Sequence, residues 1–125
     1  MVHQYRNALE RDTIEVPAGA RDSINEDTAV CAARELEEET GYRSEKITFL
    51  LSLRTTVAFC NEMVDVYLAE DLVEGERHLD DAEDIRVEAY ELNTLLSMIY
   101  KGVIQDAKTV AAILAYSYKI NHKEK

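Results

Sequence analysis

One helix, read over Thr28–Thr40, constrains this chain more than any other feature. Ala29, Val30, Ala33 and Leu36 fall at helical spacing, so one face is expected to pack on a core. Asn25 or Asp27 can cap the first turn, and Gly41 stands where a left-handed residue closes a helix. The same helix carries Glu35, Glu38 and Glu39 at i, i+3 and i+4, which places three carboxylates on one face. A glutamate run most often means a solvated acidic face. Like charges at this spacing repel, however, and three carboxylates beside an apolar seam also suit hard divalent cations. Mg²⁺ takes oxygen ligands and keeps waters that phosphates can replace.

The elements around this helix set the fold class. Residues 2–6 read as the end of a strand, and residues 13–18 as a strand stopped by Pro17 and Gly19. Residues 19–27 form a polar loop. Residues 47–53 read as a well-buried strand. Residues 63–69 alternate, with Val64, Val66 and Leu68 on one face, and residues 85–90 alternate again through Ile85, Val87 and Ala89. Two helices follow, Asn93–Tyr100 ending at Gly102, and Ala107–Ile120 with Val110, Ala111, Leu114 and Tyr118 inward. Strands, helix, strands, helices in this order predict an α+β domain, a mixed sheet between helices in an α/β/α sandwich. The 125 residues are enough for one such domain, spanning 1–125.

Charge narrows the partners. The net charge is −11, and no Lys/Arg cluster precedes the last few residues, so nucleic acid is not expected. An acidic chain that handles phosphates needs cations at its site, which again points to metal. No apolar run is long enough to span a bilayer or to form a signal peptide, so no membrane partner and a cytoplasmic location are expected. Cys31 and Cys60 read as small buried residues, and His3, His78 and His122 lack metal-ligand spacing.

Spacing sharpens the acidic helix. Glu26, seven residues, then Arg34-Glu35-Leu36-Glu37-Glu38-Glu39-Thr40-Gly41-Tyr42 resembles the Nudix box, G-x5-E-x7-R-E-U-x-E-E-x-G-U, with U a bulky aliphatic. Ala20 stands at the opening glycine, and Gly19 lies one residue further away, as if the loop were one residue longer. Gln4-Tyr5-Arg6, Ile14-Glu15-Val16-Pro17-Ala18-Gly19 and Asp106-Ala107-Lys108-Thr109 are similar to the ADP-ribose pyrophosphatase branch of that family.

The resemblance implies a Nudix fold and Mg²⁺-dependent hydrolysis, with Mn²⁺ as substitute, of a nucleoside diphosphate linked to another moiety. The products would be a nucleoside monophosphate and a phosphorylated partner. It implies metal ligation by Glu35, Glu38, Glu39 and the Ala18 carbonyl, and an Arg34–Glu26 ion pair that orients the helix. Arg6 and Glu15 would contact substrate, as would Glu62 in Phe59-Cys60-Asn61-Glu62. Glu38 or a loop glutamate would assist the attacking water, with Glu83 fitting that loop position best and Asp84 second. Val57 stands where ADP-ribose-directed members usually carry a proline, so another sugar nucleotide or a dinucleotide is also a substrate class. Relatives carry a strand before Gln-Tyr-Arg, so the sheet is expected to be shortened at its N-terminal side, with an open edge that a second copy could cover in a homodimer. The alternative reading is a Nudix-like module that binds a nucleotide with weak or no catalysis.

Overall fold

The computed structural model describes residues 1–79 and 84–123. Glu83, the expected loop base, lies outside the described residues. The elements run β1 (Val2–Arg6), β2 (Arg11–Glu15), α1 (Thr28–Thr40), β3 (Tyr42–Arg43), β4 (Lys46–Arg54), β5 (Met63–Glu70), β6 (Val73–Glu74), β7 (Ile85–Val87), α2 (Leu92–Tyr100) and α3 (Ala107–Asn121). Strands and helices thus follow one another as an α+β chain, and the ladders described are antiparallel.

Strand β1 lies between β2 and β7, with Val2 opposite both Glu15 and Val87. A turn through Glu10, in the left-handed region at φ 53°, joins β1 to β2. Strands β4 and β5 form a long hairpin with a bulge at Leu50, between Phe49 and Leu51. Short β3 and β6 pair beside the end of α1. Helices α1 and α3 both pack on the β4–β5 hairpin, and α2 packs on α3. The densest part of the core is Leu95, Ile104 and Ile113, where α2, the turn after it and α3 meet.

Several expectations are corrected. The second strand covers 11–15 and not 13–18, because the Val16 amide is taken by Thr109 Oγ1 at 3.1 Å and leaves the ladder. The strand expected at 85–90 stops at Val87, since β1 pairs with it only through Val2–Gln4. On α1, Val30 is exposed while Cys31 and Glu39 are buried. Thr28 Oγ1 bonds Asp65 Oδ2 at 2.8 Å and the Tyr67 hydroxyl at 2.6 Å, which rotates the Thr28/Cys31/Ala32 side toward β5. On α3, Leu114 and Tyr118 are exposed, and Thr109, Ala112 and Ile113 face inward. Cys60 is exposed, against the expectation that both cysteines are buried. Among the described residues no helix is long and apolar enough to cross a membrane.

Candidate active site

The acidic helix is capped at both ends by local chemistry. Asp27, not Asn25, is the N-cap, and its carboxylate accepts from the Ala29 amide at 2.8 Å. Gly41 closes the helix at φ 78°, with its N–H on the Glu37 carbonyl at 2.8 Å. The last turn is tied to the 75–78 segment, where the His78 amide donates to the Glu38 carbonyl at 2.9 Å and Arg77 Nε to that of Glu39, also at 2.9 Å.

Arg34 is the hub of the site. Its Nη2 reaches Glu26 at 3.1 Å, its Nη1 reaches Glu35 at 2.9 Å and Glu38 at 3.4 Å, and its Nε lies 3.3 Å from Asp22. Nη2 also donates to the Ala20 carbonyl at 3.3 Å, fastening the 19–27 loop to the helix. One guanidinium therefore faces four carboxylates. The hydrogen bond that Arg34 donates to Glu26 above all, with its bond to Glu35 and the charge of Asp22, holds Arg34 above its already high pKa. In return the Arg34 bond and the Asp22 amide lower the Glu26 carboxyl. Asp22 carried no signal in the sequence beyond its place in a polar loop.

The three box carboxylates occupy graded environments. Glu39 is 7% exposed and accepts from the Ala18 amide at 3.2 Å. The Glu35 and Glu38 side chains are 17% and 38% exposed. Gly19 passes so close to Glu35 that a Cβ there would overlap the carboxylate. These oxygen donors, with a glycine making space beside them, fit a hard divalent cation. Among the described residues no three His, Cys, Asp or Glu side chains already converge as a metal cage. Arg34 draws Glu35 and Glu38 toward itself, and Ala18 holds Glu39.

A second cluster lies at the end of β2. Glu15, 3% exposed, accepts from Arg6 Nε and Nη2, both at 2.8 Å, from Thr13 Oγ1 at 2.6 Å and from Lys108 Nζ at 2.9 Å. Burial pushes the Glu15 carboxyl up, but the bonds from Arg6, Thr13 and Lys108 outweigh it and bring it to about 2. The Arg6 side chain stays 45% exposed. Asp106 caps α3, accepts from Thr109 Oγ1 at 2.6 Å and pairs with Lys108 at 2.9 Å. The Asp106-Ala107-Lys108-Thr109 stretch thus docks α3 onto β2. Glu62 bonds the Thr55 hydroxyl at 2.8 Å across the β4–β5 turn, and Asp84 is exposed. Glu62, Gly19 and Glu35 border the same cavity, so the β4–β5 turn and the acidic helix share an opening.

The chain is 41% identical over 115 residues to an ADP-ribose pyrophosphatase of Bacillus subtilis (strain 168), covering 90% of this chain and 62% of that one. It is 33% identical over 100 residues to a GDP-mannose pyrophosphatase of Cronobacter sakazakii (strain ATCC BAA-894), covering 78% of this chain and 51% of the relative. A crystal structure of an ADP compounds hydrolase superposes with a TM-score of 0.87 at 21% identity, over 96% of this chain and 64% of that one, which shows the shared fold. The chain therefore spans between half and two-thirds of the length of these proteins. The NUDIX domain matches residues 1–113, a stretch that runs from β1 into α3 and holds every site residue placed above, and on that match the chain belongs to the NUDIX family.

Proposed function

We propose that this domain is a divalent-metal-dependent pyrophosphatase that hydrolyses a nucleoside diphosphate linked to a second moiety, ADP-ribose or a related sugar nucleotide. The observation that carries the reading is the pairing of Glu35 and Glu38 with one arginine on the helix that also carries Glu39, held by the Ala18 amide, with a glycine giving the Glu35 carboxylate its space. Relatives named for ADP-ribose and GDP-mannose pyrophosphatase activity support the substrate class.

Glu35, Glu38 and Glu39, with the Ala18 carbonyl, are the groups that would hold Mg²⁺ or Mn²⁺. When bound there, the cation would supply charge neutralisation for the diphosphate and Lewis acidity toward water. Arg34 orients the helix through Glu26 and holds the carboxylates against their mutual repulsion until the cation balances them. Glu38 is proposed as a group that accepts a proton from water, and its side chain, the most exposed of the three at 38%, supports that reading. Glu83 is proposed as the loop base and Asp84 as its substitute. Arg6 is proposed to donate to an anionic oxygen of the substrate, held in place by Glu15, and Glu62 to meet the substrate from the β4–β5 turn. A homodimer and a cytoplasmic location belong to the same proposal, the first tested by sedimentation velocity and the second by fractionation.

A hydrolysis screen over ADP-ribose, sugar nucleotides and dinucleotide polyphosphates with Mg²⁺ or Mn²⁺, run beside Glu38→Gln, tests the reading. We expect turnover by the parent chain and a loss of at least about a hundredfold in the variant, the scale of removing a catalytic acid–base group. Calorimetric binding of ADP-ribose with no turnover under any metal would favour the nucleotide-binding alternative and overturn catalysis.

A further inference from the structure

Lys108 bridges the two carboxylates of the cluster at the end of β2. Its Nζ donates to Glu15 Oε1 and to Asp106 Oδ2, each at 2.9 Å, and its side chain is 18% exposed. Burial lowers the Lys108 pKa, but the bonds to Asp106 and Glu15 outweigh it, so the amine stays charged. Ala107 and Lys108 border the cavity that Gly19 and Glu35 also border, which sets this cluster beside the acidic helix.

The charges of the cluster divide unequally. Glu15 takes Arg6 on both oxygens, with Lys108 on Oε1 and Thr13 on Oε2. Lys108 faces both carboxylates, so its own charge is neutralised inside the protein. Among the described residues Arg6 forms an ion pair with Glu15 alone, and 45% of its side chain is exposed. The charge of Asp106 still reaches Arg6, whose pKa is raised by its bond to Glu15 first and by Asp106 and Glu39 among the nearby charges. Two cations thus balance two carboxylates. Without the Lys108 charge, Arg6 would stand against both Glu15 and Asp106, and an anion approaching it would meet a net negative cluster.

We infer that Lys108 is a positioning residue for substrate binding, which acts through Arg6 by balancing Glu15 and Asp106 and so leaves the Arg6 charge to the substrate diphosphate. The inference rests on the proposed role of Arg6 toward an anionic oxygen of the substrate. A role limited to docking α3 on β2 gives a different pattern. Docking alone is weakened further when a second polar partner is removed, whereas charge balance is restored when one carboxylate is removed together with the lysine.

The test is a double-mutant cycle. Lys108→Met removes the charge, Asp106→Asn removes one carboxylate while keeping a residue that caps a helix well, and a third variant carries both. Lys108→Gln repeats the charge removal without burying an apolar end against two carboxylates. Kd for ADP-ribose and for GDP-mannose is read by calorimetry without metal, KM and kcat with Mg²⁺, and Tm for every protein. We expect Lys108→Met and Lys108→Gln to raise Kd and KM about tenfold with kcat within about threefold, the pattern of binding lost equally from ground and transition states. The double variant should return Kd and KM to within about threefold of the parent even though its Tm stays lower. Kd and KM unchanged in both single lysine variants, or raised as far in the double variant as in Lys108→Met, would overturn the inference. A parent that binds either nucleotide without hydrolysing it would remove the pyrophosphatase reading, and the Kd series would still decide the role of Lys108. A parent that neither binds nor hydrolyses either nucleotide would overturn both.

Discussion

Gly19 and Glu35 share one small volume, in which the carboxylate occupies the space that a side chain on residue 19 would need. Gly19 is not among the residues at positive φ, so the backbone tolerates alanine there and the effect of a substitution is steric. Gly19→Ala should displace the Glu35 carboxylate and leave the fold intact. The expected result is a rise of about tenfold or more in the Mg²⁺ concentration needed for half-maximal hydrolysis, with a change in stability below about 1 kcal/mol. Metal titration of activity beside a thermal melt measures both. An unchanged metal requirement would show that Glu35 does not bear on the cation.

Arg34 faces Asp22, Glu26, Glu35 and Glu38 within 3.4 Å, so its removal leaves four carboxylates without their shared cation. The Arg34 side chain is 24% exposed, and solvent screens part of the loss. Arg34→Ala should destabilise the domain by about 1–3 kcal/mol, the usual cost of charged hydrogen bonds at a partly buried site. That corresponds to a fall of roughly 3–6 °C in Tm per kcal/mol for a domain of this size. Added Mg²⁺ should recover more stability in the variant than in the parent, because a cation then replaces the guanidinium charge. Melts with and without metal check the difference.

These two sites also show what the sequence could and could not carry. The bounds of α1 were legible because their signals are local, with Asp27 two residues from the amide it caps and Gly41 in its left-handed turn. The rotation of α1 was not, because it is set by Asp65 and Tyr67, 37 and 39 residues from Thr28. Apolar spacing alone therefore put Val30 inside, where the structure exposes it. The inward face of α3 was misplaced for the same kind of reason. Thr109 looks polar and hence outward, but its hydroxyl is used twice, by Asp106 and by the Val16 amide, and the residue is fully buried. The spacing of the Glu26–Gly41 stretch was legible, whereas Asp22 and Lys108 enter the two clusters only through the fold.

The Glu15 cluster predicts an acid limb of stability. The Glu15 carboxyl stands at about 2 in the folded chain against an ordinary 4.5, because Arg6, Thr13 and Lys108 hold its charged form. A depressed folded pKa gives stability that is complete above about 4.5 and is lost as pH falls toward about 2. The contribution is at most about 3.5 kcal/mol, since each tenfold change in proton affinity is worth roughly 1.4 kcal/mol. Denaturant unfolding at a series of pH values should show this limb in the parent and lose most of it in Glu15→Gln. A variant with the same slope between those pH values would remove Glu15 as its source.

Thr109 ties α3 to the end of β2, and its loss separates anchoring from catalysis. Its hydroxyl donates to Asp106 at 2.6 Å and accepts the Val16 amide at 3.1 Å, in a residue with 0% exposure. Thr109→Val keeps the shape of the side chain but leaves the Val16 amide and one Asp106 bond without a partner. Burying an unpaired amide costs about 1–3 kcal/mol, so the variant should melt lower by that amount. Val16 leads directly into Pro17, Ala18 and Gly19, and the Ala18 amide holds Glu39. Loosening that end of the loop should therefore raise the metal requirement while leaving turnover at saturating metal within about threefold of the parent, since less than about 1 kcal/mol of the barrier is touched. Hydrolysis measured across a Mg²⁺ series reads the two quantities separately, and a drop in saturated turnover with an unchanged metal requirement would contradict this coupling.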